Sequence, residues 1–382
     1  MNKTMFSASA ALCAAMLLPA AADGTPPSAS PPSPPASGAV APGLVDAAIE
    51  RGVAFLKTQQ ALDGSFSDSH MPALTALPLW AFVRSGAGDS PAATNAANFV
   101  LGTQREDGGF YVPRPGRGGS GLGNYNTGVC MSALHESGLA PASAILKARD
   151  YVAGSQLTGD DTLSGGFGYD RAMRRRYADL NNTVYAMDAM RRTQSAEEFR
   201  PAGEKRADLD WSRALAYVSS LQSREGSAAG GFAYNDRTPQ GGTSTNAASG
   251  KVTLRAYGSM TYAGVLAMVH CELPKSDPRV KSAFEYCAAH WSLEENPGMG
   301  RQGLFFYYDI LSRALAAAGT PLAAPGGGTV DWRGQLAAKL VALQKADGSW
   351  CNDNNRFWEN DPVLCTSYAL LALSLCKPGA TH

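Results

Sequence analysis

Near its C-terminus the chain reads QKADGSW over residues 344–350. The same order of residues recurs upstream: a glutamine ends an amphipathic segment, a glycine-containing turn follows, and a Phe or Trp comes next. The earlier copies are QALDGSF (60–66), QREDGGF (104–110), Gln156 with GGF (165–167) and Gln222 with GGF (230–232). A pattern that returns every several dozen residues is typical of repeat architectures. The sequence therefore predicts tandem copies of one unit.

A sixth unit fits between the last two clear copies. The segment between Phe232 and Trp350 is long enough for two units, and its middle holds Trp291 followed by GLF at 303–305. We interpret that string as a degenerate marker. Six units are therefore expected.

Each unit is predicted to form two helices. The first has apolar residues on one face, as in Leu336, Leu340 and Leu343, whereas the second begins with Thr and is apolar nearly all round, as in TSYALLAL at 366–373. A helix that is apolar all round is buried on both sides. Six such hairpins predict an all-α fold, an (α/α)6 double-ring toroid over residues 44–378. An open solenoid is the alternative, but its end repeats would need polar caps, and the last unit is among the most regular.

The N-terminal segment is typical of an export signal. Lys3 precedes an apolar stretch over residues 5–18, and PAAA at 19–22 offers a cleavage site of small residues. Residues 1–22 are therefore predicted to be a signal peptide, and the Pro/Ser/Ala-rich residues 23–43 a disordered linker. We expect a periplasmic or secreted protein. No later apolar run approaches the length of a membrane span, so membrane contact is expected to be peripheral at most.

Charge argues against nucleic acid as a partner. The 33 basic and 33 acidic side chains balance, and no run of five like charges occurs. Binding to a phosphate backbone depends on a concentrated positive surface. We therefore expect no nucleic-acid partner.

Cysteines are numerous for an exported chain. Six follow the predicted signal peptide, and oxidising compartments favour disulfides. Spacing favours pairing of Cys351 with Cys365 and of Cys271 with Cys287.

The repeated marker resembles the QW-type repeat of the terpenoid cyclase and protein prenyltransferase superfamily. The resemblance covers nearly all of residues 45–378 and is nearest to exported prenyltransferase and squalene-oxidase repeat proteins of unknown activity. Further strings that carry it are YGSMTY (257–262), NPG (296–298) and GLFFYY (303–308). The resemblance implies a toroid with a central cavity, but it does not specify the reaction.

The acid motif of the squalene and hopene cyclases in this superfamily is missing. Those enzymes protonate an alkene with an Asp-x-Asp-Asp cluster, because clustered carboxylates keep one Asp protonated. The nearest string is DLDW at 208–211. We interpret it as the start of an outer helix capped by Asp210.

The zinc ligands that the resemblance would supply are also replaced. Protein prenyltransferases hold Zn²⁺ with Asp, Cys and His. Cys365 stands at the matching histidine position, and Gly300 and Gln302 stand at the matching Asp and Cys. We therefore expect no catalytic metal and no cofactor.

The candidate functional surface is the mouth of the inner ring. If the Thr-initiated helices form that ring, their N-terminal ends and the preceding loops surround one opening. The candidate catalytic residues are Glu359, Asp361 and Tyr308, and the candidate ligand-binding residues are Arg301, Tyr307, Arg356, Trp358 and Tyr257. Further polar and aromatic residues of these loops include Arg114, Arg117, Asn124, Tyr125, Arg174, Asp179, Asn181 and Ser259. Positive helix ends and arginines favour an anion, and aromatic rings favour an apolar or sugar body. The alternative is that the arginines form a solvated rim and the aromatic rings pack the loops.

Three functions follow from these residues. The leading hypothesis is binding of a small apolar or anionic ligand in the central cavity, because neither catalytic signature is present. An isoprenoid cyclase or prenyltransferase would use Glu359 or Asp361 as a substitute acid. A glycan-active lyase or hydrolase would use Asp179, Glu359 or Asp361, with Tyr257 or Tyr308 as a partner. Glu359 is expected either to pair with Arg356 and stay ionised, or to lie in an apolar wall with a raised pKa.

Overall fold

The computed structural model describes residues 43–113, 121–171, 175–238, 240–245, 252–324, 326–377 and 379–380. Over these residues it contains twelve α-helices in six consecutive hairpins, numbered α1–α12 in chain order. The predicted signal peptide and all but the last residue of the predicted linker lie outside the described residues. Both therefore stay predictions.

The odd-numbered helices form the outer ring. They are α1 (Leu44–Gln59), α3 (Pro91–Gly102), α5 (Ala142–Ala153), α7 (Trp211–Ser220), α9 (Pro278–Ala289) and α11 (Trp332–Leu343). Each buries one face, as α7 does with Ala214, Tyr217 and Val218. Side-chain caps start several of them: Ser90 before α3, Asp210 before α7 and Asp331 before α11.

The even-numbered helices form the inner ring. They are α2 (Ala73–Arg84), α4 (Gly123–Ser137), α6 (Leu180–Arg192), α8 (Gly258–His270), α10 (Leu304–Ala318) and α12 (Pro362–Cys376). Each packs against the next, and α12 packs against α2. The ring is therefore closed, which confirms the all-α double-ring toroid and excludes the open solenoid.

Two short strands and three 3₁₀ helices lie in the loops between the described helices. Strands β1 (Thr243–Thr245) and β2 (Val252–Leu254) pair antiparallel in the connection before α8. Short 3₁₀ helices span Gln194–Phe199, Gly226–Ala228 and Arg356–Trp358. The last of these lies directly before α12, at the mouth of the inner ring.

The marker glutamines link neighbouring units. Gln344 Nε2 donates to the carbonyl oxygens of Gly348 (2.9 Å) in its own turn and of Ala48 (2.8 Å) in α1. This bond joins the last unit to the first. The glutamines of the other four clear copies bond their own turn and the start of the next outer helix in the same way: Gln60, Gln104, Gln156 and Gln222.

The marker threonines anchor the inner helices. Thr366 Oγ1 accepts a hydrogen bond from the backbone N–H of Trp350 at 3.0 Å, and four other Thr and aromatic pairs repeat it. Gly348 lies between these contacts with φ of +88°, and a Cβ there would stand 2.5 Å from the carbonyl oxygen of Arg51. The turn therefore needs glycine both for its conformation and for its close approach.

The fifth unit departs from the predicted marker. Gly303 is the N-cap of α10, and Leu304 and Phe305 already belong to that helix. The interpretation of residues 303–305 as a marker turn is therefore wrong, because the helix starts earlier than the string suggested. This shift decides which aromatic side chains of α10 face the cavity.

Three inner helices are capped by the following unit. The helices α2, α8 and α10 begin without a capping side chain of their own. Their first backbone N–H groups donate to side chains of the next unit: Ala73 to Asn126 (3.1 Å), Ser259 to Asn296 (2.9 Å) and Phe306 to Glu359 (2.8 Å). Two of these caps are neutral amides, and the third is a carboxyl group.

Candidate functional site

A cavity lies inside the inner ring at the end where its helices begin. The empty space at this site is roughly 980 Å³, a volume that includes the part open to solvent. Its wall comes from all six inner helices and the loops before them: Met71, Leu74, Leu122, Tyr125, Tyr169, Asn181, Tyr185, Tyr234, Gln240, Tyr257, Ser259, Met260, Asn296, Gly303, Phe306, Phe357, Trp358, Glu359, Leu364 and Tyr368. This is the mouth region that the sequence analysis proposed.

Aromatic rings dominate the cavity wall. Nine of the lining residues are Tyr, Phe or Trp, and five more are Leu or Met. The Tyr185 ring packs edge-on against Tyr125, with centroids 5.2 Å apart, and lies 6.5 Å from Phe306, which in turn meets Tyr368 at 6.0 Å. Such a surface favours an apolar ligand body.

Glu359 is the only acidic residue that lines the cavity among the residues the structure describes. Its Oε1 accepts the Phe306 N–H at 2.8 Å, and its Oε2 accepts from Asn352 Nδ2 at 2.6 Å. Burial raises the pKa of Glu359 to about 7, although these hydrogen bonds favour the charged form. Its partners are the start of α10 and Asn352 rather than Arg356, so the first of the two expectations for Glu359 is wrong and its pKa is raised as the second expects.

Three residues with a strained backbone conformation line the cavity. Leu122, Phe357 and Trp358 all line it, and all have positive φ values of 67°, 60° and 64°. Residues other than glycine adopt this conformation at a cost of about 1–3 kcal/mol each. The surrounding packing must therefore hold these three residues in their strained conformation, which fixes their side chains at the cavity wall.

Three predicted site residues line the cavity. They are Tyr257, Trp358 and Glu359. The loop residues Tyr125, Asn181 and Ser259 lie there too. Arg114, Arg117 and Arg174 lie outside the described residues.

Tyr307 and Tyr308 are placed away from the cavity, contrary to expectation. Tyr307 Oη donates to the Ser292 carbonyl oxygen at 2.9 Å, and Tyr308 Oη donates to that of Leu293 at 2.6 Å. Both side chains are fully buried. Because successive helical residues point about 100° apart, Phe306 faces the cavity and the two tyrosines pack against the preceding loop.

Arg301, Arg356 and Asp361 are also outside the cavity lining. Arg301 is exposed, with Asp353 at 3.8 Å. Arg356 lies half-buried behind the wall and donates to Gln302 Oε1 (2.5 Å) and Gln240 Oε1 (2.8 Å). Asp361 caps α12 by accepting the Val363 N–H at 2.8 Å. Helix capping and loop packing explain these three residues.

Asp179, which the glycan alternative used, has a capping role as well. Its carboxylate accepts from the backbone N–H and the side-chain Nδ2 of Asn182, at 2.8 and 2.7 Å. Burial raises its pKa to about 6. It is not among the lining residues.

The sequence analysis missed three aromatic side chains inside the inner ring. Tyr185, Phe306 and Tyr368 lie in the first two turns of their helices and face the cavity. The available signal was a large aromatic residue one or two turns into an inner helix, although in α10 the neighbouring Phe305, Tyr307 and Tyr308 obscure it.

A charged cluster fills the opposite end of the inner ring. Asp188 accepts from Arg192 Nε at 2.8 Å, lies 3.0 Å from His270 Nε2, and bonds Arg313. Asp309 pairs with Arg313 at 3.3 Å. We call these five residues the charged cluster. The Arg313 guanidinium lies 5.5 Å from the centroid of Tyr185, so that ring separates the charged cluster from the cavity.

In the described part of the chain, no group of three His, Cys, Asp or Glu side chains is arranged to hold a metal ion. No described helix combines the length and hydropathy that a membrane span requires.

Comparison with solved structures supports the fold. The GH76 α-mannanase of Bacteroides thetaiotaomicron superposes with a TM-score of 0.55 at 10% identity, covering 86% of this chain and 95% of that one. The type II terpene cyclase MstE of Scytonema gives 0.52 at 14% identity, covering 87% and 97%. A protein from Actinoplanes gives 0.50 at 17%, covering 87% and 98%.

No protein-family model and no curated protein matches the sequence. Structural likeness at such low identity shows a shared fold and not a shared reaction. The toroid fold, which the QW-type resemblance implied, is thus common to this chain, a terpene cyclase and an α-mannanase.

Proposed function

We propose that the protein binds an uncharged, largely apolar small molecule in the cavity of the inner ring. The observation that carries the proposal is the cavity wall, where fourteen of twenty residues are aromatic, Leu or Met. Apolar pockets with a few polar groups are typical of small-molecule sites. The proposal keeps the hypothesis that the protein binds a small ligand, and it limits the class of ligand to uncharged, largely apolar molecules.

An anionic ligand is disfavoured by the charges near the cavity. Glu359 would repel an anion whenever it is ionised. The nearby guanidinium of Arg356 is turned onto Gln240 and Gln302. We therefore favour the apolar half of the original hypothesis.

Acid-catalysed cyclisation has weak support at this site. Protonation of an alkene needs a strong acid, and clustered carboxylates provide one. Glu359 has a pKa of about 7 and stands without a second carboxyl group in the described cavity wall. Cyclisation would therefore need another acid.

Glycan cleavage has weak support for a related reason. It requires two carboxyl groups that flank the bond to be cleaved. Of the three candidates, Asp179 and Asp361 cap helices, and Glu359 alone lines the cavity. The predicted export is compatible with binding.

The test is titration with 1,6-diphenylhexatriene, an uncharged hydrocarbon whose fluorescence rises in apolar surroundings. We expect saturable binding at one site. The variant Leu364→Trp should reduce binding at least about tenfold by filling the cavity. Leu62→Trp, at a fully exposed position in the first marker turn, is the matched control and should bind like the wild type.

The result decides between the hypotheses. Absence of saturable binding to the wild type would overturn the proposal. Turnover of an oligosaccharide or of a polyprenyl substrate by the purified protein would favour one of the two enzyme alternatives instead.

A further inference from the structure

Two polar atoms in the cavity wall make no hydrogen bond of normal length and angle within the protein. They are Asn181 Oδ1 and the Tyr185 hydroxyl oxygen, each buried from solvent. The hydroxyl groups of Tyr368 and Tyr125 lie near that of Tyr185. The Tyr185 side chain is only 3% exposed. Buried polar groups are nearly always paired, and leaving one unpaired costs about 1–3 kcal/mol. A ligand that pairs with both atoms would recover this energy.

The two residues form one recognition surface. Both belong to α6, and they are four positions apart, so their side chains lie one above the other on the same helix face. That face lines the cavity. A single functional group of a ligand can therefore meet both atoms.

The hydrogen-bonding chemistry of Asn181 and Tyr185 indicates which functional group of the ligand can meet both. A tyrosine hydroxyl donates a hydrogen bond, and an amide oxygen accepts one. A carboxylate has no proton to donate to Asn181, and an ammonium group has no lone pair to accept from Tyr185. A hydroxyl group does both.

The residues around Asn181 and Tyr185 suit a ligand that carries a hydroxyl group on an otherwise apolar molecule. The rings of Tyr125 and Phe306 flank Tyr185, and Arg313 covers the same ring from the charged cluster. The polar pair is thus set in an aromatic wall. Its ligand can keep one polar group and bury the rest against rings.

We infer that the ligand is an apolar alcohol, whose hydroxyl group accepts from Tyr185 and donates to Asn181. This inference rests on the proposed function, because it assumes that the cavity binds a small molecule. It adds the one polar feature that the ligand must carry.

The experiment measures displacement of bound diphenylhexatriene by two probes with the same carbon skeleton, farnesol and farnesene. Two neutral hydrogen bonds should make the alcohol bind about tenfold more tightly to the wild type. In Tyr185→Phe and Asn181→Leu this preference should fall at least severalfold. Affinity for diphenylhexatriene, which forms no hydrogen bond, is measured in each variant, so that a general loss of binding is distinguished from a loss of the preference for the alcohol.

Tyr217→Phe is the matched control. The Tyr217 hydroxyl is also buried without a partner, but it does not line the cavity. This variant should therefore keep the full preference for the alcohol.

The outcomes separate the two proposals. Diphenylhexatriene binding without a preference for the alcohol would overturn the inference and leave the proposed function standing. The same holds if the preference survives in both α6 variants. Failure of the wild type to bind diphenylhexatriene would overturn the proposed function, and the inference with it.

Discussion

The two ends of the inner ring differ in the kind of polar group that they bury. At the end that holds the charged cluster, called the closed end, Asp188 lies within about 3 Å of Arg192 and His270 and bonds Arg313, and Asp309 lies 3.3 Å from Arg313. Only Asp309 Oδ1 and Arg313 Nε of the described cluster atoms lack a hydrogen-bond partner. At the open end, the cavity wall is aromatic and contains one carboxyl group and two unpaired neutral atoms. The same six helices build both ends.

The different polar groups at the two ends should affect different properties of the protein, namely its stability and its ligand binding. Charges that bond one another inside a protein cannot be removed singly without leaving a partner unpaired. Neutral atoms without partners lose little when they are removed and gain when a ligand pairs with them. We therefore expect substitutions at the closed end to change folding, and substitutions at the open end to change ligand binding.

The largest effect is expected from Asp188→Ala. This change removes the carboxylate that Arg192, His270 and Arg313 share, and leaves Arg192 with Glu136 and Arg313 with Asp309 as their remaining acidic partners. The free energy of unfolding should fall by about 3–5 kcal/mol. Denaturant unfolding followed by circular dichroism measures it.

Asp46→Ala is the matched control for this prediction. Asp46 pairs with Lys377 at 2.8 Å, but the pair is exposed, and exposed ion pairs contribute about 0–1 kcal/mol. An Asp188→Ala protein as stable as the Asp46→Ala protein would contradict a structural role for the charged cluster.

A disulfide at the open end should have the next largest effect. Cys351 and Cys365 are free thiols in the structure, and both contact the Glu359 carbonyl oxygen, at 3.6 and 3.0 Å, so the predicted pair lies around one carbonyl group. Oxidised glutathione would take two electrons and two protons from them and leave as two reduced molecules. Closing this loop of about 15 residues should stabilise the protein by about 3 kcal/mol.

Melting temperature and intact mass check the disulfide. Treatment with oxidised glutathione should raise the melting temperature by several degrees and protect two thiols from alkylation. Cys351→Ser should abolish the rise. Equal melting temperatures of the oxidised and reduced wild type would contradict the prediction.

The fold was predictable because the same bonds recur in every clear unit. The marker glutamine, glycine, aromatic residue and threonine each make a fixed contact, so five copies report one geometry. The fifth unit was misjudged because it lacks these contacts. There the start of α10 is set by Gly303 and Glu359 instead.

The site was less predictable because it depends on helix phase and on partners far apart in sequence. Tyr307 and Phe306 are neighbours in the chain, yet only Phe306 faces the cavity. The environment of Glu359 is fixed by α10, 53 residues away. The residue types in the loops do not show which side chain of α10 faces the cavity or which residues surround Glu359.

A smaller effect is expected from Glu359→Gln, and it depends on pH. The pKa of Glu359 is raised from 4.5 to about 7 in the folded protein, so the folded state holds a proton that the unfolded chain releases between these values. Its contribution to stability is therefore complete below pH 4.5 and is lost as pH rises through 7.

Unfolding free energies at pH 5 and pH 8 measure this effect. Relative to Glu359→Gln, the wild type should lose about 1–3 kcal/mol between the two values. Asp179 titrates in the same window but is present in both proteins, so it cancels in the comparison. A difference that is constant with pH would contradict a buried, titrating carboxyl group at the open end.

The smallest effect on folding is expected from Tyr185→Phe, which tests the comparison directly. The lost hydroxyl group makes no hydrogen bond of normal length and angle and only lies near the hydroxyl groups of Tyr368 and Tyr125. Its removal therefore costs little and spares the buried ring. The free energy of unfolding should change by less than about 0.5 kcal/mol, or rise. Denaturant unfolding of the ligand-free protein measures it, with Tyr308→Phe as the contrasting variant because Tyr308 donates to Leu293 at 2.6 Å. If Tyr185→Phe destabilised the protein as much as Tyr308→Phe, the open end would depend on its polar atoms for folding, and the division between the two ends would fail.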